Sequence, residues 1–429
     1  MSVLRLKEAL EVCSRSFETG DVADSDAAVA GVVGHLASVA ESPPPDAEDV
    51  LLEIDRFLSS PDSNQMVVDA LSLELPEVII KFVLLSDKCR EVAESILDRL
   101  VSVGSPREML SIFCEVLDTH INVYKGAICY TLLLRGLSKV FLCIQRRHVE
   151  QVKVALPLIL KAIAAVYSES DEEDIDSFNN FFGVVISIGT SIKEICQKLE
   201  GRRKNELRAI LGLYVLHNIA LISKNTESHM VSSCSSLVLQ LSQFLPFCGF
   251  TYYDLLTSFD FGTIAGEQPE VDGDDFMSCF SFSMDGASLA VIWGHISEEV
   301  AKAAGEHAMA TLNKIRDDRH GRWKALGSLK SILPSVDYPW VVKSHSIDLI
   351  LSMTDGTNPV ESNEVPIDFS SLMPSIFAVL KGIQRTMIGA PDASLRKKAF
   401  LALKKAWFED YKHFTFYYYH MLVVRTLYA

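Results

Sequence analysis

Along residues 88–103 the apolar side chains Cys89, Val92, Ala93, Ile96, Leu97, Leu100 and Val101 recur at spacings of three and four. That period lays them on one stripe of an α-helix. The pattern returns about every twenty residues from Leu4 to Ala406. It predicts helices near 3–18, 24–40, 46–59, 64–85, 88–103, 106–118, 121–143, 147–167, 176–199, 203–223 and 227–245, then 287–313, 319–333, 339–353, 370–388 and 394–406. The sharpest start is Ser105-Pro106-Arg107-Glu108. There Ser caps free amides, Pro suits the first helical position and Glu reaches back to the cap. Asp46, Asp62, Asp87, Ser297 and Asp392 are weaker start signals, while Pro43-Pro44-Pro45, Gly104, Gly201 and Pro334 interrupt the pattern.

Strand signals are nearly absent, and two successive helices with their turns occupy the roughly forty residues of a HEAT or armadillo unit. The expected fold is all-α, an irregular HEAT/armadillo-like α-solenoid of stacked antiparallel helices. No regular consensus marks the units, so a globular all-α bundle stays open. Helical periodicity fails over 258–286, around Phe259-Asp260-Phe261-Gly262 and Val271-Asp272-Gly273-Asp274-Asp275. The expected organisation is therefore N-terminal repeats over 1–257, an acidic, Gly-containing loop over 258–286 and C-terminal repeats over 287–406. Residues 407–429 form an atypical aromatic tail, including Phe416-Tyr417-Tyr418-Tyr419, unlike the polar cap that closes most repeat arrays.

Apolar residues make up 48% of the chain, too many for a solvated or disordered polymer, so most of its length is expected to fold. A net charge of −16 argues against nucleic-acid binding, which needs a concentrated basic footprint. The acidity gathers at Glu169–Asp176 and Glu267–Asp275, where solvated loops are the plain explanation. Cysteines 13, 89, 114, 129, 143, 196, 234, 248 and 279 stand singly, mostly on apolar stripes, as expected in a reducing compartment such as the nucleus and cytoplasm. The N-terminus lacks a signal-peptide hydrophobic region. The longest apolar runs, Val154–Tyr167 and Ala209–Ile222, fall short of the roughly 20 residues of a membrane span and read as buried helices.

No constellation carries chemistry. His295, Glu298, Glu299 and His307 invite a zinc reading, but the histidines are twelve apart, whereas H-E-x-x-H needs four. Asp317-Asp318-Arg319-His320 has no ligand spacing either. Asp171-Glu172-Glu173-Asp174 lacks the Gly and Glu that a calcium loop needs at its sixth and twelfth positions, since Asp176 and Phe182 stand there. The Gly-rich phosphate loops and the nucleophile elbow are missing. Neither catalytic, metal nor cofactor-binding residues are expected. Arg396-Lys397-Lys398, Lys404-Lys405 and Arg202-Arg203-Lys204 could meet an acidic partner, or a solvated helix face could account for them.

Several long segments resemble the plant branch of the glomulin-like family. They are Arg5–Asp21, Cys279-Phe280-Ser281-Phe282 through Ala287 to Val291–Ala301, Tyr338–Leu351 and Leu395–Phe400. The resemblance extends over roughly residues 3–406. It implies an irregular HEAT-like fold and no enzyme. It also implies a role in which the RING-box subunit of cullin–RING (SCF) ubiquitin ligases is masked where the ubiquitin-conjugating enzyme docks, linked in plants to lateral root initiation. In glomulin the RING-facing surface belongs to the C-terminal repeats, and this sequence replaces further helices with its aromatic tail. No partner-binding residue is carried over, and a shortened form with impaired masking is the expectation; a helical adaptor for other protein partners is the alternative.

Overall fold

Helix formation follows the apolar stripes. In the computed structural model α5 (Asp87–Val103) buries Cys89, Ala93, Ile96, Leu97, Leu100 and Val101. Each large apolar side chain on such a stripe contributes about 1.5–3 kcal/mol when buried. The cap of α5 is Ser86, whose Oγ accepts from the Cys89 amide at 3.1 Å and donates to Glu48 at 2.7 Å. The structure describes residues 2–120, 127–169, 175–224, 226, 231–259, 273–355 and 371–408. Among these no strand occurs, and the chain divides into two units, Met1–Leu207 and Arg208–Ala429.

The first unit holds α1 (Ser2–Thr19), α2 (Val22–Val39), α3 (Pro44–Ser59), α4 (Gln65–Phe82), α5, α6 (Pro106–His120), α7 (Ala127–Cys143), α8 (His148–Glu169), α9 (Ile175–Gln197) and the start of α10 (Gly201–Lys224). The odd helices α1 to α9 each pack on the next odd one, and α2 to α8 each on the next even one. Two layers in which helices pack mainly on their near neighbours are the packing of an irregular HEAT-like α-solenoid. Between α7 and α9 the contact is close and partly polar, with Ser138 Oγ 2.9 Å from Ser191 Oγ and 3.3 Å from Ser187 Oγ.

The second unit begins within α10 and continues through α11 (Val231–Ser242), α12 (Leu245–Cys248), α13 (Tyr252–Thr257), α14 (Gly273–Ser278), α15 (Ser283–Ile296), α16 (Glu298–Ala303), α17 (Ala308–Asp317), α18 (Arg319–Gly327), α19 (Trp340–Thr354), α20 (Met373–Gly389) and α21 (Ala393–Phe408). Alternation returns here: α17 packs on α19, α18 on α20 and α19 on α21.

Two expectations change. The loop expected over 258–286 contains α14 and the first turn of α15; residues 260–272 lie outside the described residues. Periodicity failed there because α15 buries small residues. Ser283 donates to the Leu213 carbonyl at 2.9 Å, and a Cβ on Gly286 would sit 1.8 Å from the Leu216 carbonyl oxygen. Only a bare backbone approaches α10 that closely. The single helix expected over 287–313 is three, α15 to α17. Ser297 caps α16 by accepting from the Val300 amide at 3.4 Å, and Gly305 ends it in the left-handed region, φ +69.

Among the described residues three stretches could by length and composition cross a membrane: Gly201–Lys224, Val231–Cys248 and Phe276–Ile296. This revises the expectation that no run was long enough. The most apolar 18-residue stretch of Gly201–Lys224 is 83% buried within the protein, and turns at 243–244 and 279–282 interrupt the other two.

Candidate partner-binding surfaces

In the first unit the odd helices are tied by ion pairs. Lys7 of α1 lies 3.4 Å from Glu53 of α3, and α3 offers Glu48 to Lys88 at 3.2 Å and Asp55 to Arg99 at 3.6 Å on α5. The next step repeats the direction, Glu94 and Asp98 of α5 pairing with Arg135 and Lys139 of α7. In four of these five pairs the acid precedes the base by two helices, so the charges neutralise one another instead of forming a free patch. Exposed pairs of this kind each contribute about 0–1 kcal/mol and mainly hold register.

Two open grooves interrupt this unit. One, of about 440 Å³, is lined by Lys7, Leu10, Glu11, Arg15, Glu53 and Phe57. The other, of about 130 Å³ between α4 and α6, has Leu73, Ile112 and Val116 with Glu74, Glu77 and Glu115. Arg202 and Arg203 are exposed at the start of α10.

Of the residues weighed for chemistry, His295, Glu298 and Asp318 have local partners. His295 Nε2 lies 3.1 Å from Ser352 Oγ, and Glu298 pairs with Lys302 at 3.0 Å. Tyr253 donates to Asp318 at 2.5 Å, a bond that pushes the phenol up, while Lys314 lies 3.7 Å from the Tyr253 ring centre. Among the described residues no group of three His, Cys, Asp or Glu is placed to hold a metal ion. Asp171-Glu172-Glu173-Asp174 falls outside those residues. Burial pushes the Cys114 thiol up to about 12 and that of Cys129 to about 11, values of inert packing thiols.

The basic run of α21 is largely spent internally. Arg396 donates to the carbonyls of Ala390 and Pro391, Lys398 pairs with Asp348 at 2.8 Å and Lys405 with Asp355 at 2.6 Å. Lys397, Phe400, Leu401 and Lys404 remain on its exposed side.

A second surface, which the periodicity did not single out, joins the loop after α18 to the ends of α19 and α20. Val336 is 93% exposed, Ile388 78% and Trp340 37%. The Trp340 indole reaches to 3.9 Å of where a Gly389 Cβ would stand, and Lys343 Nζ lies 4.7 Å from its ring. Arg385 donates to the Pro334 carbonyl at 3.3 Å, tying α20 to the loop. In the sequence Trp340 is only the second residue of the helix expected over 339–353, and its place against Gly389 of α20 needs the fold.

A stacked-helix array with partnered charges and open side-chain surfaces is the architecture of a protein-interaction module. The profile of the family described as "Uncharacterised protein family, YAP/Alf4/glomulin" matches residues 18–262, more than half of the sequence, and the chain belongs to that family. It is 39% identical over 415 residues to aberrant root formation protein 4 of Arabidopsis thaliana, covering 94% of this chain and 65% of the relative. It thus spans about 65% of the length of that curated relative. Among solved structures, a circular tandem repeat protein aligns over 95% of this chain and 96% of its own at 11% identity, TM-score 0.28. The karyopherin Kap121p aligns over 94% and 46% at 11% identity, TM-score 0.24.

Proposed function

We propose that this protein is a non-enzymatic regulator of cullin–RING ubiquitin ligases that masks the RING-box subunit, with lateral root formation as the process it serves. Membership of the YAP/Alf4/glomulin family carries the reading. The helical array supports it, because masking needs a preformed surface and no reacting groups. The expected locations are nucleus and cytoplasm, checked by a fluorescent fusion in root cells. The deciding experiment is a pulldown of RING-box protein by the full chain, paired with ubiquitination in vitro. Capture together with slowed ubiquitin-chain formation is expected; no capture at micromolar concentrations of both proteins would sink the proposal.

A second reading, an adaptor for other protein partners, is favoured by the Val336–Trp340–Ile388 surface, which combines exposed apolar side chains with cations.

A further inference from the structure

The surface around Trp340 has a composition that selects a kind of partner. Exposed Trp and Arg beside aliphatic side chains are typical of residues that dominate binding energy. Here Val336, Trp340 and Ile388 stand with exposed Arg385 and Lys381, the latter one turn before Arg385 on α20, while Lys343 is buried against the Trp340 ring. Two carboxylates near it have partners of their own. Asp337 lies 3.8 Å from Lys224, and Asp285 accepts from Tyr338 at 2.8 Å and from Ser331. Burial, and after it the charge of Arg385, push the Lys343 amine down against the opposing charge of Asp337, which places Arg385 close to Lys343. A locally cationic, apolar surface on a chain of charge −16 is complementary to the opposite combination.

We propose that Val336, Trp340 and Ile388, with Lys381 and Arg385, form a docking surface for an acidic peptide segment of a protein partner that carries aliphatic anchor residues. The anchors pack on Trp340 and Ile388, and carboxylates of the segment pair with Arg385 and Lys381. This surface is separate from the RING-box reading and stands or falls without it.

The test uses the full chain and a short fluorescent peptide of alternating glutamate and leucine, with a lysine–leucine counterpart, read by anisotropy. Binding of the glutamate peptide alone is expected, weakened about tenfold or more by Ile388→Asp and by Arg385→Glu. Ile388 is 78% exposed, so Ile388→Asp leaves the fold intact, and an unchanged melting curve verifies this. Equal binding of both peptides, or glutamate-peptide affinity untouched by either variant, overturns the proposal. Concentration-dependent self-association abolished by Ile388→Asp also overturns it, assigning the surface to a second copy of the chain. RING-box capture is expected to persist in Ile388→Asp; its loss would assign the patch to the RING-box face instead.

Discussion

His217 of α10 lies edge-on to the rings of Phe280 and Phe282, and burial, with the charge of Lys224 adding to it, pushes its imidazole down to about 4. In the unfolded chain the same group titrates near 6.5. The folded value is the lower one, so as pH falls the unfolded chain takes up the proton first and folding weakens. The contribution of neutral His217 is complete above about pH 6.5 and is lost progressively towards pH 4, on the order of 3 kcal/mol in all. Denaturant titrations of the wild type and of His217→Leu across that range should diverge: the variant loses less stability on acidification. Parallel curves would show that His217 does not set the acid limb. In the sequence His217 is only a polar residue within the apolar run Ala209–Ile222. Its environment comes from Phe280 and Phe282, more than sixty residues away, which periodicity cannot reach. Gly286 was illegible for a related reason: its role is to have no side chain where α15 meets the Leu216 carbonyl.

At the scale of elements, long helices with wide apolar stripes were legible almost to the residue. α5 was expected over 88–103 and spans Asp87–Val103, and α6 starts at the Pro106 of its capping motif. Short helices of the second unit were not, because α16 has only six residues and its limits are set by one serine cap and one left-handed glycine. The start of α5 illustrates the finer error: Asp87 looked like the cap, yet Ser86 takes the Cys89 amide. Ser86→Ala should therefore cost about 1 kcal/mol in a denaturant titration, and an unchanged midpoint would show the cap to be dispensable. The ion-pair ladder leads to a smaller expectation. Glu94 and Arg135 are 36% and 29% exposed, so a double-mutant cycle through alanine should return a coupling below about 1 kcal/mol, reduced further by salt. A coupling of several kcal/mol would mean that the ladder holds the layer together, leaving the apolar stripes a lesser part.

For the whole molecule, packing through neighbours governs how damage spreads. Leu97 is 2% exposed on the stripe of α5, and α5 packs on α3, α4, α6 and α7. Leu97→Asp places a carboxylate without a partner in that interface and should destabilise the first unit by about 3–5 kcal/mol. Because stability in such an array is close to a sum of unit and nearest-neighbour contributions, the loss should be greatest in α5 and the helices it touches. The second unit has its own buried set, from Leu211 and Tyr214 to Ile350, Ile383 and Ala399. Hydrogen exchange followed by mass spectrometry resolves the two outcomes. Faster exchange across α3 to α7, with the amides of α15 and α19 still protected, is the expected pattern. Uniform loss of protection from α1 to α21 would instead make the chain one cooperative body, in which a partner bound to either unit would stabilise both.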